Sequence, residues 1–442
     1  MKSRLVVGGN LQPRDDEIET SSATVRLQSV FLLLQLSCKL KMKLAAIDIK
    51  SAYLHANIRS RDLFGRLAKL LLELRPDWIQ YLQRDGSMLF RIDKALYGLM
   101  EAARLWFLHL VALLTAHGFK HSQADKAVLL LRKGSKRLYV CLHVDDMLVA
   151  YNDVDMYNAF THMLTSNLAG ITKQESQSLS FLGTSIEIKG NTVSVSRPGY
   201  IANLISKYAV VSNASSPCAG SLFESIPTGD TLPAYALHSK IMELRYLDDV
   251  RPVIKFVCSV LTTCMSKPTV GLDQAANRVL QYLRGTIDKK LIFVAPDVVQ
   301  LFAYVDASYC VDDTMSWYCV WVQLGTRNAP FHLKCGKIKA VCRSSTEAEL
   351  FALNESISDV LHYIDLLADL MQTQDTVIVF EDNTAAITLL QEQDVNYSAR
   401  SKHVKVKIDF FKSMIKEGKV RLEYIETARQ RADFETARQR LS

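Results

Sequence analysis

Leu138 to Tyr151 reads LYVCLHVDDMLVAY, two apolar runs rich in Val, Leu and Tyr that are separated by Asp145 and Asp146. Such runs predict a β-hairpin with two adjacent carboxylates at its tip. The turn contains no Gly or Asn, so the aspartates are not the residues that would ease a chain reversal. Neighbouring carboxylates repel each other unless a cation lies between them, and hard oxygen ligands of this kind suit Mg²⁺. Taken alone, the stretch is better explained as an Asp-rich hairpin tip, and other residues must decide.

A third carboxylate lies upstream of the hairpin. Lys43 to Leu54 reads KLAAIDIKSAYL, which predicts a strand with Asp48 at its polar break. A carboxylate at a strand end, together with a separate Asp-Asp hairpin, is the palm arrangement of a two-metal polymerase. In that chemistry two cations about 3.5–4 Å apart activate the attacking oxygen and stabilise the leaving phosphate. Asp48, Asp145 and Asp146 are therefore candidate catalytic residues and metal ligands.

The composition is that of a globular, mildly basic chain. With 442 residues, 49% of them hydrophobic, it should form two or three domains. A formal net charge of +7 favours a polyanionic partner. The nine cysteines include no Cys-x-x-Cys pair, which argues against a disulfide framework or a zinc site. The most apolar stretch, Phe31 to Leu36, is far too short to span a bilayer, and no signal peptide opens the chain, so we expect no membrane association.

Hydrophobic periodicity predicts two patterned halves joined by an irregular stretch. In the first half, helices are predicted for Val25 to Leu40 and Glu101 to His117. Ser212 to Ser239 is rich in Ser, Pro, Gly and Ala and is interpreted as a linker, after which helical spacing returns from Met242 to Leu283.

The second half begins with three predicted strands and continues with helices alternating with strands. The strands are Gln300 to Cys310, Ser316 to Leu324, Phe331 to Cys342, Thr376 to Phe380 and Val420 to Ile425, and the helices are Thr346 to Met371, Thr384 to Gln391 and Val404 to Glu417, with a short helix closing the chain. This order predicts a mixed sheet flanked by helices and matches the ribonuclease H fold. We expect the segment from about Leu291 to fold on its own.

Four further acids, Asp306, Glu349, Asp382 and Asp433, stand at successive ends of these predicted elements. Each also has a purely structural explanation: Glu349 would complete a capping box with Thr346, and Asp382 and Asp433 would cap helices. Jointly the four are better explained by metal binding, because strand ends and helix starts can converge on one rim of a sheet. Two cations held there would activate a water against a phosphodiester.

Eleven segments, in this order, resemble the Pol region of copia-type retrotransposons. Those similar to the reverse transcriptase are KSRLVVGGNLQ, TVRLQSVFLLLQL, AAIDIKSAYLHANI, KALYGLMEAARLWF, LHVDDMLVA and FLGTSIEI, and those similar to the ribonuclease H half are RVLQYLRGT, YVDASYCVDD, SSTEAEL, EDNTAAITLL and SKHVKVKIDFF. The resemblance implies an α/β and α+β multidomain chain. Its parts would be reverse transcriptase fingers and palm (1–205, truncated at the N-terminus), a linker with a thumb- or connection-like helical region (206–290) and a ribonuclease H-like domain (291–442).

The resemblance also implies activity, cofactors and partners. The activity is RNA-directed DNA polymerase with ribonuclease H, dependent on two Mg²⁺ per active site, or Mn²⁺ in their place. The implied partners are an RNA template, a DNA primer, the RNA–DNA hybrid, deoxynucleoside triphosphates and other Gag and Pol products of the element. The implied location is the cytoplasm, within a virus-like particle, or the nucleus.

Further site residues follow from positions that match the family's motifs. Tyr53 stands where related polymerases keep an aromatic ring beneath the incoming sugar, Gly98 would line the nucleotide pocket, and Lys2 and Arg4 would reach triphosphate oxygens. The contacts expected to nucleic acid are Lys402, His403, Lys405 and Lys407. The alternatives are a core tyrosine, a solvated N-terminal strand and a solvated helix face.

Several residues depart from the family pattern. His143 replaces an aromatic residue two before the paired aspartates, and Met100, Glu101 and Ala103 stand where Lys, Gln and Pro are usual. We expect Glu101 to bring negative charge towards a phosphate site and weaken binding. The chain also starts inside the first fingers strand. Two alternatives therefore stay open: a fragment with ribonuclease H activity only, and a non-catalytic nucleic-acid-binding remnant.

Overall fold

The computed structural model describes the chain at residues 6–12, 19–58, 63–68, 72–73, 75–218, 222–309, 316–371, 373, 376–392 and 402–433. Lys2 and Arg4 lie outside the described residues, as does the closing helix predicted after Asp433. The helical backbone of Lys402 and His403 is described, but their side chains are not. Within the described part, no helix combines the length and the hydropathy needed to cross a membrane.

The predicted elements of the described residues are present to within about five residues, and the predicted linker contains one short helix. The helices are α1 (Leu27–Leu40), α2 (Ala102–Ala116), α3 (Val154–Asn167), α4 (Pro198–Lys207), α5 (Leu222–Ser225), α6 (His238–Leu247), α7 (Lys255–Cys264), α8 (Val270–Gly285), α9 (Ser345–Met371), α10 (Thr384–Gln391) and α11 (Lys402–Lys416). The strands are β1 (Lys43–Ile49), β2 (Phe64–Ala68), β3 (Ser87–Arg91), β4 (Lys120–His121), β5 (Val128–Lys133), β6 (Lys136–His143), β7 (Asp146–Tyr151), β8 (Ile171–Gln174), β9 (Ser178–Phe181), β10 (Thr184–Lys189), β11 (Thr192–Ser196), β12 (Leu291–Val294), β13 (Leu301–Ser308), β14 (Trp317–Leu324), β15 (His332–Lys337), β16 (Val377–Glu381) and β17 (Val420–Tyr424).

The chain divides into two compact units. The first contains Met1–Val25 and Lys43–Ser176, and the second contains Arg26–Met42 and Gln177–Ser442. Sequence pattern and the family resemblance predict domain boundaries near residues 205 and 290. The two compact units instead meet at residues 25–26, 42–43 and 176–177. The three-part division therefore stays a prediction.

The first unit is built on a sheet with the strand order β4-β5-β6-β7-β1-β8. The predicted hairpin is present, with β6 and β7 paired antiparallel from Leu138↔Tyr151 to His143↔Asp146. β1 pairs antiparallel with β7 and places Asp48 directly opposite Asp146. The hydrophobic residues of β6 and β7 are buried on both faces, which explains why their pattern is continuous and not alternating. The end of β1 and the hairpin tip thus lie at the same edge of the sheet.

The second unit contains a mixed sheet with the strand order β15-β14-β13-β16-β17. β13, β14 and β15 are antiparallel neighbours, whereas β16 runs parallel to β13 and β17 runs parallel to β16. This is the predicted mixed sheet, in the order of a ribonuclease H-like fold. α9 packs against β13 and β14, and α11 packs against α9.

Helix α1 lies in the second unit, although its sequence interrupts the first. It packs against β11, β12 and β14, and the ring centroids of Phe31 and Phe293 are 5.3 Å apart. Gln35 is fully buried among these apolar contacts. Its Oε1 accepts a hydrogen bond from the Leu324 N–H (3.2 Å), and its Nε2 donates to the Ala329 carbonyl oxygen (3.0 Å). These bonds fix α1 to the end of β14.

The contacts of the ribonuclease H-like sheet argue against the expectation that the segment from Leu291 folds alone. β12 pairs with β11 in the sheet β12-β11-β10-β9, so its partner comes from residues 192–196. Ser259 of α7 donates a hydrogen bond to the carbonyl oxygen of Cys335 in β15 (3.0 Å). Without α1, α7 and β11, apolar surface that is covered here would face water, at a cost of roughly 25 cal/mol per Å².

We predict that Gln35→Leu destabilises the protein. The substitution keeps the apolar contacts of α1 but leaves the Leu324 N–H and the Ala329 carbonyl without a partner, which costs about 1–3 kcal/mol for each buried group. The thermal unfolding midpoint measures the effect. Gln28→Leu is the control, because Gln28 is a half-buried glutamine of the same helix whose side chain makes no hydrogen bond to the described residues. Equal midpoints for the two variants would contradict the assigned role of Gln35.

Candidate active sites

The hairpin tip is held in a strained conformation. His143 and Asp146 form the last pair of the ladder, so Val144 and Asp145 make a two-residue turn. Val144 has a φ of 57°, in the left-handed region that β-branched residues avoid. The indole Nε1 of Trp106 donates a hydrogen bond to the Val144 carbonyl oxygen (2.7 Å), and the Ile49 N–H donates to the Asp145 carbonyl oxygen (3.0 Å). These two bonds stabilise a turn that its own residues disfavour.

The three predicted acids of the first unit lie at this tip. Asp48 and Asp146 are direct cross-strand partners, a relation that puts Cβ atoms roughly 4.5–5.5 Å apart on one face. Partial burial raises the pKa of Asp146, and the charges of Asp145 and Asp48 raise it further, with His143 acting in the opposite direction. A cation between these carboxylates would remove the repulsion, so the donor set fits a hard divalent metal ion.

Tyr53 follows β1 in a turn of 3₁₀ helix, Ala52–His55. Its ring centroid lies 4.5 Å from that of Tyr97, and the ring packs against an apolar cluster that contains Ala95 and Leu99. Partial burial raises the pKa of the Tyr53 hydroxyl, followed by the charge of Asp145. The side chain is thus partly a core residue, and the charge of Asp145 acts on it. Its expected place beneath an incoming sugar stays a prediction.

Gly98 sits where the chain segment at Val7 passes close by. Its φ is 97°, and a Cβ at this position would lie 1.9 Å from the Val7 carbonyl oxygen. The Val7 N–H donates a hydrogen bond to the Tyr97 carbonyl oxygen (2.8 Å). Any side chain at residue 98 would therefore push the two segments apart, and glycine is the residue that this approach requires.

In the second unit, three of the four predicted acids meet. Asp306 lies near the C-terminal end of β13, and Asp382 directly follows β16. Because these strands are parallel, their C-terminal ends lie at the same edge of the sheet. Glu349 comes from the first turns of α9, which packs on β13. One carboxylate oxygen from each residue lies within 4.8 Å of the others, and within the described part of the chain this is the one such group of three. The acids of the first unit are not gathered as tightly.

Helix capping does not explain Glu349 or Asp382. The Ser344 Oγ accepts a hydrogen bond from the Glu347 N–H (3.2 Å), and the Glu347 carboxylate accepts from the Arg343 N–H (2.7 Å). The predicted capping box of Thr346 and Glu349 is therefore wrong, since α9 begins one residue earlier than expected. At α10 the cap is Asn383, whose Oδ1 accepts from the Ala386 N–H (3.0 Å), and not Asp382.

Burial and mutual repulsion dominate the electrostatics of this cluster. Burial raises the pKa of Asp306 to about 8, with further contributions from the charges of Asp382 and Asp433. Burial also raises the pKa of Glu349, followed by the charges of Glu381, Asp306 and Asp382. Glu349 is 5% exposed, and its buried Oε2 has no hydrogen-bond partner among the described residues. An unsatisfied buried carboxylate beside other acids fits a metal-ligand role.

Residues 1–219 match the family of reverse transcriptases (RNA-dependent DNA polymerases). Over 440 residues, 98% of this chain, the sequence is 28% identical to the retrovirus-related Pol polyprotein from transposon RE2 of Arabidopsis thaliana. Over 453 residues, also 98% of this chain, it is 25% identical to that from transposon TNT 1-94 of Nicotiana tabacum. The chain is thus similar to copia-type Pol polyproteins along nearly its whole length. It spans 29% and 33% of the length of these two relatives.

Two solved structures of LC11-RNase H1 from compost are similar to part of this chain. One is the protein alone, and the other is its complex with an RNA/DNA hybrid. Both are 17% identical and have a TM-score of 0.25; they cover 33% and 30% of this chain and 93% and 91% of their own. A likeness at this TM-score bears on neither the activity nor the substrate of the chain. The ribonuclease H-like strand order follows from the strand pairing of the second unit.

Glu101, one of the residues that depart from the family pattern, is buried. It is 2% exposed and accepts a hydrogen bond from the Gln12 Nε2 (2.7 Å), while the Gln12 Oε1 accepts from the Met100 N–H (3.1 Å). The expectation that Glu101 brings its charge towards a phosphate site stays a prediction. The hydrogen bond with Gln12 helps to explain why a carboxylate is tolerated there.

The basic residues expected to contact nucleic acid are placed differently from one another. Lys405 is exposed on α11. The Lys407 Nζ lies 3.8 Å from the ring centroid of Phe351 on α9, and burial lowers the pKa of this ammonium group. Lys407 therefore stabilises the packing of α11 on α9 through a cation–π contact. The side chains of Lys402 and His403 lie outside the described residues.

Sequence reasoning missed one acid, Glu381. It is fully buried; its Oε1 accepts a hydrogen bond from the Asn383 N–H (3.0 Å), and its Oε2 has no partner among the described residues. Burial raises its pKa. Strand alternation could have found it, because residue 381 must face away from Asp382 and so towards the buried side of the sheet.

We predict that Asp306→Asn stabilises the protein in EDTA, and more so at pH 8 than at pH 5. The stability contributed by neutral Asp306 is fully present below its unfolded pKa of about 3.9 and is lost as the pH rises through about 8, when ionisation brings repulsion. Thermal midpoints measure this, with Asp365→Asn, an exposed acid of α9, as the control. Addition of Mg²⁺ should then raise the midpoint of the wild type more than that of the variant. A variant gain that is equal at both pH values would contradict the repulsion.

Proposed function

We propose that this chain is an RNA-directed DNA polymerase with ribonuclease H activity, one reaction in each compact unit. The proposed polymerase residues are Asp48, Asp145 and Asp146, and the proposed nuclease residues are Asp306, Glu349, Asp382 and Asp433. The observation that supports this most is that acids of each set act on one another at the ends of rigid elements. The charges of Asp145 and Asp48 add to the burial that raises the pKa of Asp146, and those of Asp382 and Asp433 do the same at Asp306. Proteins retain such repulsion mainly at functional sites.

Two Mg²⁺ ions per site, or Mn²⁺ in their place, would supply the positive charge that stabilises the attacking and leaving oxygens of phosphoryl transfer. Asp48 and Asp145 would hold them in the first unit, with Asp146 in support. In the second unit Asp306, Glu349 and Asp382 would hold them, and the unpartnered Glu349 Oε2 is one oxygen free for this purpose among the described residues. Asp433, whose charge acts on Asp306, would complete the set.

The proposed substrates are a DNA primer on an RNA template, deoxynucleoside triphosphates and the RNA–DNA hybrid that results. The net charge of +7 favours these polyanions. Hybrid cleavage would be selective for the RNA strand, because the 2′-hydroxyl distinguishes RNA from DNA. Other Gag and Pol products of the same element are proposed partners, in a cytoplasmic virus-like particle or the nucleus.

A nuclease-only protein is the second candidate. It is favoured by the looser arrangement of the acids in the first unit. Among the described residues of that unit, no three acids each bring a carboxylate oxygen to within 4.8 Å of the other two, whereas three acids of the second unit do. A non-catalytic nucleic-acid-binding remnant is the third, and the raised pKa values of Asp146, Asp306 and Glu349 speak against it.

We predict that Asp145→Asn and Asp382→Asn inactivate different reactions of the same protein. Asp145→Asn should abolish extension of a DNA primer on RNA and spare hybrid cleavage, whereas Asp382→Asn should do the reverse. Each change removes a charge that stabilises the transition state, a loss of roughly 3 kcal/mol or more, or at least about a hundredfold in rate. Hybrid binding should persist, because affinity rests on basic contacts to phosphates.

Primer extension and hybrid cleavage, measured on one purified sample of each variant, test this. Asp155→Asn and Asp365→Asn, exposed acids of the first and second units, are the matched controls. A wild type that cleaves hybrid but shows no Mg²⁺- or Mn²⁺-dependent extension would favour the nuclease-only protein. A wild type that binds hybrid and performs neither reaction would favour the remnant.

We predict that Tyr53→Val relaxes the selection of deoxynucleotides over ribonucleotides. The ring lies beside the acids, where it would clash with a 2′-hydroxyl of the incoming sugar. The ratio of kcat/KM for the two nucleotide types should fall by about tenfold, a modest steric effect of 1–2 kcal/mol. Tyr53→Phe keeps the ring and should keep the selectivity. The same ratio in Tyr53→Val and wild type would leave Tyr53 as a core residue only.

A further inference from the structure

Two cysteines of the ribonuclease H-like sheet have their sulfur atoms in contact. Cys319 in β14 is the direct antiparallel partner of Cys335 in β15, and the two Sγ atoms are 3.2 Å apart. Direct partners in antiparallel strands have Cα atoms about 4.5 or 5.5 Å apart, and both values lie within the 4.4–6.8 Å range of disulfides. The sulfurs need to approach by only about 1 Å to reach the bond length of roughly 2.05 Å.

The pair belongs to a row of three side chains that crosses the sheet. Asp306 in β13 is the direct partner of Cys319, which in turn is the direct partner of Cys335. Directly opposed residues of neighbouring strands project to the same face, so all three side chains lie side by side. Cys319 is therefore the neighbour of a proposed nuclease acid on one side and of a second thiol on the other.

The two thiols differ in their access to solvent. Cys319 is 3% exposed and forms part of an apolar cluster with Phe302, Tyr304 and Trp321. Cys335 is partly exposed, at the β15 edge of the sheet. Ser259 of α7 binds the Cys335 carbonyl oxygen and so holds β15 at this position. A reagent in solution can reach Cys335, and Cys319 stands behind it.

We propose that Cys319 and Cys335 form a site of reversible oxidation, which closes to an intramolecular disulfide beside Asp306 and weakens divalent-cation binding there. The oxidant class is a low-molecular-weight disulfide such as oxidised glutathione. The bond forms regardless of what the protein does, whereas its effect at Asp306 rests on the proposed nuclease function.

The exchange balances in two steps. The thiolate of Cys335 attacks one sulfur of the small disulfide, which breaks the S–S bond, gives a mixed disulfide at Cys335 and releases one small thiolate. The Cys319 sulfur then gives up its proton, attacks the Cys335 Sγ and expels the second small thiolate. The two thiol protons end on the two released thiols. The protein is oxidised by two electrons and the small disulfide is reduced by two.

Closure should reach Asp306 because the sheet is tightly packed. Drawing Cys319 towards Cys335 shifts β14, and every residue of β14 is buried, so the shift cannot be absorbed at a free surface. Changes to the groups that orient metal ligands typically alter metal affinity by about 10–100-fold, and a shift of β14 would change the orientation of Asp306. Strained or accessible disulfides are also the more easily reduced ones, which makes the site reversible.

The test uses the full chain in buffers that range from reduced to oxidised glutathione. Expected is the loss of the mass of two hydrogen atoms and, after digestion, a crosslink between the peptides of Cys319 and Cys335. Cys319→Ser and Cys335→Val should each prevent it, whereas Cys258→Ser, at a fully buried cysteine of α7, should not. The crosslink mapped in the wild type does not depend on whether these variants fold. Failure of the folded wild type to form this crosslink in oxidised buffer would overturn the proposal.

The second measurement is the rise in thermal midpoint with Mg²⁺ concentration, compared for the reduced and the oxidised wild type. The oxidised form should need about tenfold more Mg²⁺ for the same rise, and reduction with dithiothreitol should restore the response. Equal Mg²⁺ dependence in both forms would overturn the coupling to Asp306. Absence of hybrid cleavage in the reduced protein would instead count against the proposed function, because neither the crosslink nor the midpoint depends on activity.

Discussion

The parallel pairing of β13 with β16 is the constraint on which the second unit depends. It aligns Leu301 with Val377 and Tyr304 with Phe380, and so brings Asp306 and Asp382 to one edge of the sheet. A parallel pair needs a long crossover, and here that connection contains β14, β15 and α9, the helix that carries Glu349. The same piece of topology therefore supplies both the platform and the third acid. In the first unit the antiparallel register of β1 and β7 has the same effect, because it sets Asp48 opposite Asp146.

Such platforms are stable only because the rest of each unit offsets the cost of the acids. Burying an unpaired carboxylate is unfavourable, and Glu349 and Glu381 each leave one oxygen without a hydrogen bond among the described residues. The same unit contains β14, which is buried along its whole length, and the many buried apolar residues of α9. At the hairpin of the first unit the unfavourable backbone of Val144 is compensated by the Trp106 hydrogen bond. In both places buried neighbours stabilise the backbone, and the acids lie at the edge of the sheet.

Local patterns in the sequence predicted the elements and the order of the acids, because strand and helix periodicity and chain reversal are short-range properties. They placed Asp306, Glu349 and Asp382 at element ends correctly, and α10 to the residue. They failed where a distant partner decides. The residues around Glu101 do not predict its contact with Gln12, 89 positions away in the chain. Those around Lys407 do not predict its contact with Phe351, 56 positions away. The cap of α9 was misplaced for a different reason, since Ser344, Ser345 and Thr346 are all acceptable caps and only the packing of the helix selects one.

Helix α1 has a consequence for how this protein can be divided. Its residues are made before those of the whole ribonuclease H-like sheet, yet its partners β12 and β14 come more than 250 residues later. During synthesis its apolar face stays uncovered until those strands are made. Such long-range contacts form slowly, and the exposed apolar surface favours chaperone binding. The polypeptide also crosses between the two units three times, at residues 25–26, 42–43 and 176–177. A protease that cuts only the last of these junctions leaves α1 covalently joined to the first unit and buried in the second. The two compact units cannot be separated by a single scission of the backbone.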